Sequence, residues 1–152
     1  MIPYKRHTLS NGLTVAVNRD RQSKLAAVNI LYKVGARNED PARTGFAHLF
    51  EHLMFRGTRE IPNFDLPVQM ASGDNNAFTN NDYTDFYITL PKDNIETALW
   101  LEADRMTGLD ISPEALETEK RVVIEEYKQR YLNQPYGDQG MLLRSLAYTL
   151  HP

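Results

Sequence analysis

The 152-residue chain has no cysteine. That excludes a disulfide framework, a thiolate metal ligand and a thiol nucleophile, and it leaves the redox compartment open. Long apolar runs are missing as well. The longest, Leu25–Val28 and Ala98–Leu101, are four residues each, against the roughly 20 that a membrane span needs. Nor is there a basic excess: 17 Lys and Arg face 20 Asp and Glu, for a net charge of −3. Nothing here draws down phosphates, so a general nucleic-acid binder is excluded. The opening Met1-Ile2-Pro3-Tyr4-Lys5-Arg6-His7 has no signal-peptide apolar stretch. The chain reads as a soluble segment, cytoplasmic or trimmed of an export signal, and its compartment stays open. It stops at Leu150-His151-Pro152 without tail-like composition, which reads as a truncation. What is present is ordinary globular material, 41% hydrophobic, enough to bury a core.

Residues 1–152 carry no internal repeat and no linker-like tract, so they read as one domain. Asn11-Gly12 between Lys5–Leu9 and Leu13–Val17 predicts a hairpin, because the glycine supplies the positive φ of a tight turn. Leu25–Val34 alternates as a strand, and charges and a proline make Gly35–Thr44 a loop. Helical spacing follows over Gly45–Arg56 and around Phe64–Ser72, then strands at Asp74–Thr79 and Tyr83–Leu90. Asp93–Thr107 is helical, with Ile95, Leu99 and Met106 on one side. Ser112-Pro113 opens a helix running to about Leu132, and Gly137–Tyr148 predicts another. Strands early and helices late predict an α+β fold, a mostly antiparallel sheet with helices packed on one face.

His48-Leu49-Phe50-Glu51-His52 carries the chemistry. At about 100° per residue, Phe46, Leu49, Phe50, Leu53 and Met54 share one arc. His48, Glu51 and His52 fall on the other side. Histidines at i and i+4 sit one turn apart, so both imidazoles can reach one metal ion. The ordinary alternative is a pair of hydrogen-bonded histidines with no metal. Against it, the apolar stripe of this helix is filled by other residues, and H-x-x-E-H is the inverted zinc-peptidase signature. A catalytic zinc takes three protein ligands, so a carboxylate or a further histidine is needed. On the helix after Ser112, Glu119 and Glu126 share a face flanked by Ala115, Leu116, Val122 and Val123. Carboxylates there are costly unless paired or metal-bound. Roughly 10 Å apart, they divide the work: one is a ligand and the other orients one. Gly73–Thr79 reads as a strand with accessible backbone, to which an extended peptide adds by main-chain hydrogen bonds.

Taken in order, Thr8–Leu13, Val34–Arg37, Gly45–Thr58 with its H-x-x-E-H, Asn76-Ala77-Phe78-Thr79, and Glu119–Glu126 resemble the pitrilysin/insulinase family of zinc metallopeptidases. That family, the inverzincins, includes the mitochondrial processing peptidases. The resemblance spans roughly residues 5 to 135. It implies zinc held by His48, His52 and Glu126, Glu51 as general base, and Glu119 as an auxiliary catalytic glutamate. It further implies that Asn76, Ala77 and Phe78 bind the peptide substrate, with Phe78 lining the pocket beside the scissile bond. The implied activity is endopeptidase action on peptides or small unfolded polypeptides. Family members pair this half with a second, homologous half-domain, and nothing here corresponds to it. The resemblance therefore implies an amino-terminal catalytic fragment without full competence alone. The alternative is a non-catalytic peptide-binding or assembly subunit with a vestigial metal site, although such subunits typically lose motif residues and this chain keeps them.

Overall fold

The computed structural model describes residues 2–148, so the expected truncation point at Leu150–Pro152 lies outside the described residues. An antiparallel hairpin, β1 (Lys5–Thr8) and β2 (Thr14–Val17), opens the chain. Gly12 takes φ +89° in its turn, the left-handed conformation that glycine adopts without a steric penalty. β3 (Leu25–Tyr32), β4 (Asp74–Thr79) and β5 (Thr84–Pro91) form a three-stranded antiparallel sheet in the order β3-β5-β4. The helices are α1 (Phe46–Arg56), α2 (Asp65–Met70), α3 (Ile95–Thr107), α4 (Pro113–Tyr127) and α5 (Gln139–Ala147), with a π-helical turn at Lys128–Leu132 continuing α4. The fold is α+β, with open antiparallel sheets and helices against one sheet face.

Strand alternation sets that face. Phe86, Ile88 and Leu90 of β5 are buried, and Val28 joins them from β3. They meet Phe64 and Val68 from the α2 segment and Ala98 and Leu101 from α3. β4 is an edge strand, bonded only to β5 among the described residues.

The structure corrects the reading of two helices. Phe46 and Phe50 of α1 are exposed, at 48% and 43%, and the residues buried from this helix are Ala47 and Leu53. Burial is therefore centred on Ala47 and Leu53, away from the aromatic part of the stripe. On α3, Ile95, Leu99 and Met106 are outward, while Ala98, Leu101, Glu102 and Arg105 are buried. Periodicity misses this because it assigns charges to solvent. Here the Arg105 guanidinium donates from Nε to Glu102 Oε2 at 2.7 Å, and from Nη2 to Oε1. It also stacks 4.4 Å from the Phe64 ring and 4.2 Å from Phe86. Burial pushes the Glu102 carboxyl above its ordinary range, and the Arg105 hydrogen bond pulls against that rise. Glu102→Ala leaves an unpaired guanidinium inside the core. The expected cost is about 3–5 kcal/mol, read as a lower urea midpoint at unchanged m value.

Candidate active site

Helix α1 is fixed at both ends. At its start, Glu39 accepts from Gly45 N and from Ala47 N, both at 2.7 Å, placing a carboxylate at the positive end of the helix dipole. At its end, Gly57 takes φ +107°, and a Cβ there would fall 2.1 Å from Ile61 O. Thr58 then donates to Asp104 Oδ2 at 2.6 Å, tying the exit of α1 to α3. Helix α4 starts where Ser112 Oγ accepts from Ala115 N, with Pro113 following. It packs against α1, where Glu119 and Glu126 meet His48, His52 and Arg56.

The crossing of α1 and α4 brings three ligand-type atoms together. His48 Nε2 and His52 Nε2 lie 3.3 Å apart. Glu126 Oε2 lies 3.5 Å from the first and 3.2 Å from the second. A tetrahedral zinc with bonds of about 2.0–2.1 Å has its ligand atoms about 3.3–3.4 Å apart. The triangle therefore has the right size for one such ion. The chemistry of the set agrees: two imidazole nitrogens and a carboxylate oxygen meet around one point, and lone pairs this close repel unless a cation or proton lies between them. Two-histidine-one-glutamate sets are a standard donor group for catalytic zinc.

Glu119 is placed differently. Its Oε2 lies 3.7 Å from His52 Nδ1, the ring nitrogen turned away from Glu126, and its Oε1 accepts from Arg56 Nη1 at 3.4 Å. At 3.7 Å the Glu119 oxygen is beyond hydrogen-bond distance of Nδ1, so the two are near neighbours and not a bonded pair. Sequence reading missed Arg56 and also Arg130, whose Nη2 lies 2.5 Å from Glu126 Oε1. Arg130 thus holds one carboxylate oxygen while the other faces the histidines. Its spacing of four from Glu126 on a continuing helix was the available signal.

Glu51 is half-buried on α1, and its Oε2 accepts from Thr79 Oγ1 at 2.5 Å. Thr79 ends β4, so the edge strand touches the helix that carries both histidines. Of the three residues read as a peptide-docking strand, Asn76 and Phe78 are exposed and Ala77 is half-buried. Ala77 N donates to Asn76 Oδ1 at 2.8 Å, and Phe78 lies edge-on to Tyr83. A cleft of about 380 Å³ runs past His48, Glu126, Thr79, Arg130 and Tyr131. A more apolar cavity of about 470 Å³ lies against Phe46, Phe50, Met54 and Tyr32 and also touches Glu51. Among the described residues no helix is long and apolar enough to cross a membrane.

Over most of its length the chain is similar to known proteases. The chain is 36% identical over 148 residues to the zinc protease PqqE of Helicobacter pylori, covering 95% of this chain and 33% of that protein. It is 32% identical over 149 residues to the probable mitochondrial-processing peptidase subunit beta of Schizosaccharomyces pombe, covering 95% of this chain and 32% of the other. The crystal structure of a protease from Helicobacter pylori superposes with a TM-score of 0.85 at 34% identity, over 90% of this chain and 33% of that one. Pitrilysin superposes with a TM-score of 0.75 at 25% identity, over 84% of this chain and 14% of its own. The chain thus spans about a third of the length of the curated relatives it matches. The sequence pattern of the family described as insulinase (peptidase family M16) matches residues 14–146, a stretch that includes both helices of the site, and the chain belongs to that family.

Proposed function

We propose that residues 1–152 form the metal-holding, base-carrying part of a zinc endopeptidase that acts on peptides or small unfolded polypeptides. The observation that carries this reading is the triangle of His48 Nε2, His52 Nε2 and Glu126 Oε2, with Glu51 on the same helix as the two histidines. His48, His52 and Glu126 would hold zinc, and Glu119 would orient His52 through Nδ1. A zinc ion so held supplies Lewis acidity toward the scissile carbonyl and an acidified water. Glu51 takes the proton of the attacking water and delivers it to the leaving amine. Asn76, Ala77 and Phe78, on the outer edge of β4, bind substrate main chain in the extended form. The remaining walls of the substrate chamber come from a second homologous half, in the same polypeptide or a partner subunit. The names and lengths of the relatives support that placement.

The test is hydrolysis of an unstructured peptide by the full-length protein that carries this chain. Chelation should abolish turnover, and added zinc should restore it. Peptide binding without chelator-sensitive cleavage would favour the alternative, a non-catalytic subunit that keeps the metal residues without using them.

A further inference from the structure

We propose that Thr79 is a positioning residue for Glu51, and that it ties the general base to the strand on which the substrate lies. This inference rests on the peptidase reading above and adds a residue to it. Thr79 is the last residue of β4, and its Cα partner across the hairpin is Thr84 on β5. The two hydroxyl oxygens lie 3.2 Å apart. Thr84 is buried, 6% exposed, and its Oγ1 donates to Val34 O at 3.0 Å. Each hydroxyl has a single proton. Thr84 directs its own toward Val34 O, so the Thr79 oxygen meets a neighbour whose donor is engaged. Two acceptors are then open to the Thr79 proton, Thr84 Oγ1 at 3.2 Å and Glu51 Oε2 at 2.5 Å, and it goes to the nearer, Glu51. This is a hydrogen bond between two elements, the end of β4 and helix α1.

The surroundings make this a firm anchor. Directly after Thr79, Asn80 O accepts from Ala36 N at 3.2 Å and Asn81 O accepts from Arg37 N at 2.9 Å. Arg37 also pairs with Asp82 at 3.0 Å. A Cβ at Gly35 would come within 2.5 Å of Asn80 O, so the Gly35 backbone is pressed against the hairpin turn. The end of β4 is thus held on two sides, and a free glutamate side chain is converted into a located one. Thr79 also directly follows Phe78. A peptide lying along Asn76–Phe78 is therefore set in distance from the base by a single hydroxyl.

The experiment compares Thr79→Val, which keeps the shape and removes the hydroxyl, with Thr79→Ser, which keeps the hydroxyl, in the full-length protein. Zinc content is measured alongside kcat and KM on an unstructured peptide. Thr79→Val should lower kcat roughly 10–100-fold at unchanged KM and full zinc, and Thr79→Ser should recover most of that loss. Adding Thr79→Val to Glu51→Gln should cause little further loss, because the anchored carboxylate is already gone. Thr79→Val with kcat within about twofold of wild type would overturn the inference, as would equal damage from valine and serine, or a loss confined to KM. A wild-type protein that cleaves no peptide would overturn the peptidase reading itself and this inference with it, an outcome told apart from the others by the wild type alone.

Discussion

Replacing Glu51 with glutamine in the full-length protein is expected to leave zinc bound and to lower kcat by about 10²–10⁴-fold, the range that a positioned general base contributes. The substitution is nearly isosteric, and it keeps an oxygen that can accept from Thr79. It removes only the capacity to take a proton. His48, His52 and Glu126 are untouched, so metal content by elemental analysis should match wild type. KM should change little, since in the proposed reading the peptide lies along β4 and is not held by the base. The combination of full zinc and lost turnover is the diagnostic one. Near-normal kcat in a zinc-loaded Glu51→Gln protein would remove Glu51 from the role of base.

The second large effect concerns the metal. The isolated 152-residue chain should carry about one zinc, the number for a single catalytic site with three protein ligands, and His48→Ala should lose it. Glu119→Gln should behave otherwise. Its Oε2 faces His52 Nδ1 and not the point where the two Nε2 atoms meet. Loss of its charge should weaken zinc affinity by about 10–100-fold, the usual cost of removing a group that orients a ligand, while saturating zinc still fills the site. Competition with a chelator of known affinity separates the two cases. If Glu119→Gln abolished zinc binding as completely as His48→Ala, the division of labour between the two glutamates would be reversed. If the isolated chain took up no zinc at all, the crossing of α1 and α4 would depend on the rest of the protein.

Much of the layout is legible in the amino-acid sequence. The Asn11-Gly12 hairpin, the alternation of Ala26, Val28, Ile30 and Tyr32 toward the core, and Asp74–Thr79 as a strand all appear in the fold. These features are local. A turn needs a residue that tolerates positive φ, and a half-buried strand needs period two. The Ser112-Pro113 helix start is equally local, and its cap is in place. What failed was an inference about burial. Ile95, Leu99 and Met106 are as apolar as any core set, yet α3 turns Glu102 and Arg105 inward. Which face of a helix is buried depends on what lies opposite. Phe64 and Phe86 offer aromatic faces that a paired guanidinium can stack on. Phe46 and Phe50 stay exposed for a related reason, since α1 is buried along Ala47 and Leu53.

The same division runs through the site. By itself the sequence determined that His48, Glu51 and His52 share one side of a helix, and that Glu119 and Glu126 share a face two turns apart, because helical geometry depends on neither neighbours nor distance along the chain. It also determined the chemical type of the donors and, with no cysteine in the chain, the absence of a competing thiolate. Helical geometry left open which glutamate meets the two Nε2 atoms. The family resemblance implied Glu126, and the crossing of α1 and α4 is what brings its Oε2 there and sets Glu119 beside His52 Nδ1. The tertiary structure alone joined Thr79 to Glu51 and Arg56 to Glu119. Thr79 and Glu51 are 28 residues apart and Arg56 and Glu119 are 63 apart, so no periodicity connects them. Arg130 lies one turn beyond Glu126, but which oxygen it takes follows from where the histidines already stand.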